Sequence, residues 1–410
     1  MMEKNRKNGY LNIAIAVAFI LGTVLGLLVP DIFAPVAFVG EIYVRLLKLI
    51  VIPLLMTQVT VSVARAAGSL ARRVVKSIAL FAVMFAASFC IMAVLTAIVS
   101  PGSGVILPEA QWEGSAAVTT PEGFFRSVIS ENIFASMASG AILPCILFAF
   151  VLGIALSRTG RGRAVEVFED LEAAFSRILG YIMYLTPLGV FVLMGGAAAS
   201  WGPELLGVGA IYIGLAWAGC LIVTVLVMIL PVWLFAGIDP LTYIRKVARI
   251  WVLTLSTCSS AAVLPSTVRV CNEEFGVPKE ITDVVVPLGC TIHMCGGAVS
   301  FCLLGMFTMQ AAGTGIGAGT FFYMLLIAVL MNMAAPGIPG GGIVLGATYL
   351  GILGAPTGFI GMYSGIYRLL DMPYTTLNVT GDITANILIA KSEKASRREK
   401  GAEAAGDESL

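Results

Sequence analysis

Residues 371–382 read "DMPYTTLNVTGD" and lie between two apolar stretches, "SGIYRLL" and "ITANILIA". At helical pitch Asp371, Thr375, Asn378 and Asp382 fall at i, i+4, i+7 and i+11, so they share one face, with Tyr374 beside them. Polar side chains glue membrane helices together, which would explain a threonine or an asparagine. It does not explain two aspartates, each costing about 2.5–3.5 kcal/mol at mid-bilayer. The stripe therefore reads as carboxylates that hold cations.

That reading requires a membrane, and the composition supplies one. The 410-residue chain is 58% hydrophobic and 12% charged, with a mean hydropathy of +0.95. A soluble domain carries about 25% charged residues, so this is an integral membrane protein with helical spans. The net charge of +1 gives no field for nucleic acid. Eight cysteines without a CxxC pair read as small buried residues rather than a disulfide framework. The basic start "MMEKNRKNGY" precedes an apolar run that reaches Pro30. The run is too long for the apolar core of a signal peptide and no small-x-small site follows, so it is read as the first span.

Segments of roughly 20 apolar residues place spans near 10–30, 39–64, 75–99, 132–157, 178–199, 206–236, 283–311 and 358–390. Lys and Arg mark cytoplasmic loops. They concentrate before residue 8, at 65–76, at 158–163, at 237–250 and after 390, whereas 31–38, 100–121 and 200–205 have none. Both termini are thus expected in the cytoplasm, with Arg45, Lys48 and Arg126 as exceptions at the outer interface or against protein.

Two apolar segments remain, 251–268 and 322–354. The first has basic residues on both flanks and the second on neither, so each is expected to enter and leave by one face as a re-entrant hairpin. Their centres, "STCSS" and "APGIPGGG", are breakers and small polar residues at membrane depth, tolerated only where buried in protein or lining a cavity. Hairpin plus span (251–311) followed by hairpin plus span (322–390) makes an inverted repeat, whose sites meet near the midplane.

The span before the second hairpin shows a matching stripe: Gly289, His293, Gly296 and Ser300 share one helical face. Its glycines would turn backbone carbonyls inward as ligands for sodium. His293, the single histidine, is read as a neutral buried group hydrogen-bonded to the other hairpin unit, ahead of a proton-coupling role. Cys290, His293 and Cys295 have no partner pair elsewhere, which argues against a transition metal.

"NVTGD" (378–382) after an aspartate seven positions earlier resembles the last span of the dicarboxylate/amino acid:cation symporter family. "STCSSAAVLP" (256–265), "LGCTIHMCGG" (288–297) and "PGIPGGG" (336–342) resemble that family's first hairpin tip, seventh span and second hairpin tip. The resemblance implies an all-α polytopic membrane protein with eight transmembrane helices plus two re-entrant helical hairpins, an elevator-type transporter and a homotrimer in the inner membrane. Scaffold spans would occupy 1–74 and 100–203. The moving part would hold spans 75–99, 204–236, 280–312 and 358–391 with hairpins 241–272 and 322–356, and 392–410 would be a charged, disordered cytoplasmic tail.

Carried over residue by residue, the resemblance implies that Asp371 binds a substrate ammonium group. Thr375, Asn378 and Ser260, with the backbone of Gly337, Ile338, Pro339, Gly340, Gly341 and Gly342, would hold the α-carboxylate, with Cys258, Gly297 and Tyr374 lining the site. One sodium would use Asp382 with backbone at Gly289, His293 and Asn378. A second would use Thr291 and Met294 with backbone at Asn332, Met333 and Ala335, a proton being the alternative for one of them.

The departures are as informative. Tyr374 stands where acidic-substrate members have an arginine, and Cys258 where the archaeal aspartate transporter has one. His293, Cys295 and Gly297 replace three residues of an Asn-Met-Asp-Gly-Thr run, and Phe81, Met84 and Phe85 stand where a third sodium site needs hydroxyls. A second substrate carboxylate would be left unpaired, so the expected substrate is a small neutral, zwitterionic amino acid. An acidic amino acid or C4-dicarboxylate is the alternative, open if Arg368 points inward. A channel does not need an ammonium-binding aspartate under a Gly-Pro lid, and no HExxH or GxSxG motif suggests an enzyme.

Overall fold

The computed structural model describes residues 2–68, 71–105, 128–159, 162–333, 341–355 and 359–407, and every long element among them is helical. The first half runs α1 (Met2–Leu28), α2 (Ala37–Gly68), α3 (Ala71–Val99), α4 (Ile133–Ser139), α5 (Ile142–Arg158), α6 (Gly162–Met183) and α7 (Thr186–Trp201). The second half opens with α8 (Glu204–Val223), which continues through π-helical turns to Ala236. Two hairpin units follow, α9 (Pro240–Thr257) with α10 (Ser260–Arg269), then α13 (Ala318–Met333) with α14 (Gly341–Leu353). Between them lie α11 (Lys279–Ile292) and α12 (Cys295–Ala311), and α15 (Ile360–Asp407) closes the chain.

Helices Arg73–Val99, Leu206–Ala236 and Lys279–Ala311 are each long and apolar enough to cross a bilayer. The α6–α7 pair qualifies as one span bent by 53°. Val83, Leu221, Phe235 and Ile98 on these outward faces are 65–74% exposed. A surface of large exposed apolar side chains is what contact with lipid requires. The protein is therefore a multi-pass membrane protein.

Four boundaries differ from those expected from hydropathy, each for a local reason. The expected span 132–157 is interrupted at Gly140, a left-handed cap at φ 79°. The expected span 178–199 begins inside α6, whose helix starts at Gly162 and carries Glu169, paired with Arg65 of α2 at 2.7 Å. Averaged hydropathy dilutes such an amphipathic helix because it sums over both faces. The seventh span breaks at His293 and Met294, which leave helical geometry (φ/ψ −108°/96° and −127°/79°). The tail expected to be disordered continues α15 to Asp407, in keeping with a run rich in the strong helix formers Ala, Glu, Lys and Arg.

α15 is the central element, touching α7, α8, α9, α11, α12 and α14, while α3 packs along α12. Away from this centre α2 packs on α5 and α6, and α1 lies along α7. The last contact depends on glycines one turn apart. A Cβ at Gly22 would lie 2.5 Å from the Phe191 carbonyl oxygen, and one at Gly26 would overlap that of Gly195. This is the small-xxx-small pattern that lets membrane helices approach backbone to backbone. Gly26→Val is expected to cost about 1–3 kcal/mol and to lower the thermal midpoint in detergent. Gly207→Val, where nothing lies within 4 Å of the added Cβ, is the control that leaves it unchanged.

Candidate functional site

Asp371, Tyr374, Thr375 and Asn378 of α15 line a cavity of about 50 Å³. The opposite walls come from Cys258 and Ser260 of the first hairpin, from Met294, Gly296, Gly297, Ser300 and Phe301, and from Gly342 and Leu345 of the second hairpin. By the volume a water needs, roughly 10–15 Å³, it has room for a few waters, or for a small solute once its walls give. Asp371 is 6% exposed and accepts a hydrogen bond from Thr375 Oγ1 at 3.2 Å. Among the described residues it is the one ionisable carboxylate on this wall, and no lysine, arginine or histidine lines it.

The positive side of the cavity is built from backbone. Ser260, Gly296 with Gly297, and Gly342 lie in the first turns of α10, α12 and α14, and helix N-termini favour anions through free N–H groups and the aligned dipole. Cys258 holds the hairpin tip in the left-handed region at φ 49°, ψ 39°, a strained conformation for a residue with a Cβ. It reverses the chain so that Ser259 can cap α10, accepting from Ala262 N at 3.2 Å.

Close approach sets the spacing of the walls. A Cβ at Gly296 would overlap the Tyr374 carbonyl oxygen, and the Gly296 N–H donates to Asn378 Oδ1 at 2.7 Å. A Cβ at Gly342 would overlap the Tyr367 hydroxyl. Tyr367 and Tyr363 extend the polar stripe upstream at the same helical spacing, and Tyr363 shares a 2.8 Å hydrogen bond with Ser300. Sequence reasoning missed both tyrosines, with Phe301 and Leu345. The spacing 363, 367, 371, 374 was the available signal for the tyrosines.

One turn deeper, Asp382 is 1% exposed and lies 3.0 Å (Oδ1) from Nδ1 of His293, itself 1% exposed. Nε2 of the same ring lies 3.1 Å from Cys295 Sγ, and Phe81 stacks on the imidazole with centroids 4.4 Å apart at 13°. Gly289 and Gly381 make room for this cluster. A Cβ at Gly289 would overlap Asp382 Oδ1, and one at Gly381 would sit 2.5 Å from His293 Cε1. Gly289 and His293 thus lie against Asp382, and it is the His293 ring that faces the carboxylate. The continuous helical face expected for Gly289, His293, Gly296 and Ser300 is corrected. The break at 293–294 separates them onto α11 and α12, and they meet α15 from two helix ends.

Of the second cation set, Thr291 donates its hydroxyl to the Leu288 carbonyl at 2.8 Å, and Met294 lines the cavity. Asn332 Nδ2 donates to the Ile292 carbonyl at 3.0 Å, while its Oδ1 is buried with no hydrogen-bond partner. That orphaned oxygen beside Gly297 suits a cation as ligand. Met333 ends α13, and Gly341 starts α14 without lining the cavity. Ala335, Gly337, Ile338, Pro339 and Gly340 lie outside the described residues.

A negative pole faces three helix N-termini, with a second carboxylate one layer below, an arrangement whose charges suit a small charged solute and a cation. Residues 11–392 match the sodium:dicarboxylate symporter family. The chain belongs to that family. It resembles the proton/sodium-glutamate symport protein of Bacillus caldotenax, 29% identical over 95% of this chain and 97% of the relative. The proton/glutamate-aspartate symporter of Escherichia coli (strain K12) is 29% identical over 88% and 86%. The C4-dicarboxylate transport protein of Sphingopyxis alaskensis is 28% identical over 95% and 90%. As a member of the sodium:dicarboxylate symporter family the protein is a membrane transporter, not an enzyme, and couples its solute to a cation.

Gly296→Ala is expected to push α12 from α15 at Tyr374 and to weaken solute binding about five- to a hundredfold, the equivalent of about 1–3 kcal/mol. The shift in melting temperature induced by a panel of amino acids measures it. Gly196→Ala, in open space, leaves the shift intact.

Proposed function

We propose that this symporter takes up an acidic amino acid, aspartate or glutamate, together with cations by alternating access. The observation that carries the amino-acid part is the buried Asp371 carboxylate opposite the N-termini of α10, α12 and α14. It supplies an ammonium partner and a carboxylate pole in one cavity. A C4-dicarboxylate lacking an amino group would meet Asp371 as a bare like charge.

The acidic class is supported by the relatives, which turn the balance away from the neutral amino acid expected from Tyr374. Glutamate is named in the relatives from Bacillus caldotenax and Escherichia coli. Its second carboxylate needs a cation, and Arg368, one turn before Asp371, is the nearest source on α15. Its Nη2 donates to the Ser256 carbonyl at 3.3 Å, two residues before Cys258 on the wall of the cavity. The neutral, zwitterionic reading keeps one specific observation in its favour, the absence of a basic residue from that wall among the described residues.

Arg368→Gln separates the two. Losing the partner of a buried charge costs about 2–5 kcal/mol, so aspartate and glutamate uptake into proteoliposomes is expected to fall at least thirtyfold while alanine and serine uptake holds. Acidic uptake unchanged by Arg368→Gln overturns the role given to Arg368, and a parent protein that carries only neutral amino acids overturns the acidic reading. Asp371→Asn removes uptake under either.

The coupling cation sits beside Asp382, where a carboxylate deep in a membrane protein needs a positive partner. Sodium is the partner suggested by the oxygen-rich surroundings, with a second ion at Thr291, Met294 and Asn332. The proton held between His293 and Asp382 is the alternative for the first. One ion entering down about 100 mV gains about 2.3 kcal/mol and a tenfold gradient about 1.4 kcal/mol, enough for roughly a few hundredfold accumulation. The hairpin units with α3, α8, α11, α12 and α15 move as one body against α1, α2 and α4–α7, in a homotrimer with cytoplasmic termini. If His293 holds the coupled proton, an imposed inward proton gradient at clamped sodium drives uptake in the parent and not in His293→Asn. Uptake in the parent that is indifferent to that gradient assigns the site to sodium alone.

A further inference from the structure

A second and larger cavity, about 510 Å³, opens where α3 begins and α15 leaves the helical bundle. Its wall is apolar, formed by Ile238, Phe275, Val277, Ile281, Ile387 and Ala390. Its rim carries three cations, Arg73, Lys391 and Lys394, against two carboxylates, Glu280 and Glu393. Arg73 is buried and already committed. Its Nε and Nη2 donate to the two oxygens of Glu393 at 2.7 and 2.8 Å, and Nη1 donates to the Glu280 carbonyl at 2.7 Å. This fork pins the start of α3 to α15 at Glu393 and cancels one charge of each sign.

The ammonium groups of Lys391 and Lys394 are left over with the single carboxylate of Glu280, so the rim keeps a positive excess. Both residues are exposed, and neither makes an ion pair or hydrogen bond among the described residues. The depth of the opening is given by the residues just before it. Trp233, Leu234 and Phe235 are 51%, 60% and 69% exposed and run directly into Ala236 and Ile238 of the cavity wall. A tryptophan and two large apolar side chains at the end of a span mark the interface between acyl chains and headgroups. The cavity therefore combines free ammonium groups, an apolar wall and a mouth at headgroup level.

We propose that this cavity binds an anionic phospholipid, with its phosphate between Lys391 and Lys394 and the first carbons of an acyl chain against Ile238, Phe275 and Ile387. A soluble anion would satisfy the two ammonium groups but leave the apolar wall in water. A zwitterionic phospholipid would bring its own cation to a rim already in positive excess. The bound lipid would bridge the start of α3, the end of α8, the 275–281 connection and α15, and so stabilise the folded protein by mass action.

The test uses the purified full-length protein in detergent, with added phosphatidylglycerol, phosphatidylcholine or inorganic phosphate, and reads the melting midpoint. Phosphatidylglycerol is expected to raise the midpoint by several degrees, phosphatidylcholine by less than half as much, and phosphate not at all. The double variant Lys391→Gln with Lys394→Gln is expected to lose most of the phosphatidylglycerol shift. Arg158→Gln, a basic residue at the exposed end of α5, keeps it. Ala390→Trp, which fills the cavity from its apolar wall and leaves both lysines in place, is also expected to abolish the shift and serves if the double variant does not fold. Equal shifts from the two lipids, a shift reproduced by phosphate, or a phosphatidylglycerol shift that survives in the double variant or in Ala390→Trp would each overturn the proposal.

Discussion

Two carboxylates eleven residues apart on a single helix, both shut away from water, constrain everything else in this protein. Neither can be solvated by lipid, so each must be met by a positive group that the rest of the chain brings to it. The chain does this in two layers. Asp371 faces a cavity ringed by helix N-termini, and Asp382 faces an imidazole and the glycine of a broken helix. The breaks are the means. Without the two non-helical residues at 293–294 no helix N-terminus could lie inside the bundle beside Asn378, and Gly296 could not donate its N–H there.

The small residues follow from the same need. Gly289, Gly296, Gly342 and Gly381 each stand where a methyl group would collide with Asp382, Tyr374, Tyr367 or His293. A layer of polar contacts this tight cannot be formed by side chains that keep the backbones at the usual 8–10 Å interaxial distance. The glycines also explain why the cavity is small. With the backbones this near, the cavity presents main-chain groups on one side and α15 side chains on the other.

Beside Asp382, side chains from distant parts of the chain gather in one place. Phe81 stacks on His293, whose ring nitrogens lie beside Asp382 and Cys295. An aromatic ring, an imidazole and a thiol thus occupy a region in which hard oxygen ligands would be expected for sodium. Phe81, His293 and Cys295, spread over more than two hundred residues of sequence, build one local environment around Asp382.

The membrane class, the long apolar helices and the face shared by Asp371, Thr375, Asn378 and Asp382 were all legible in the sequence. Hydropathy and a 3.6-residue period are local properties, and α15 is unbroken through that stretch. The breaks at Gly140 and His293, the start of α6 at Gly162 and the helical tail were not, because a hydropathy window averages over both faces of a helix and over two-residue interruptions. Nor could the pairing of His293 with Asp382, 89 residues apart, or the placing of Arg73 against Glu393, 320 residues apart, be read from spacing. Those contacts exist because helices from distant parts of the chain pack side by side, and only the folded arrangement decides which faces meet.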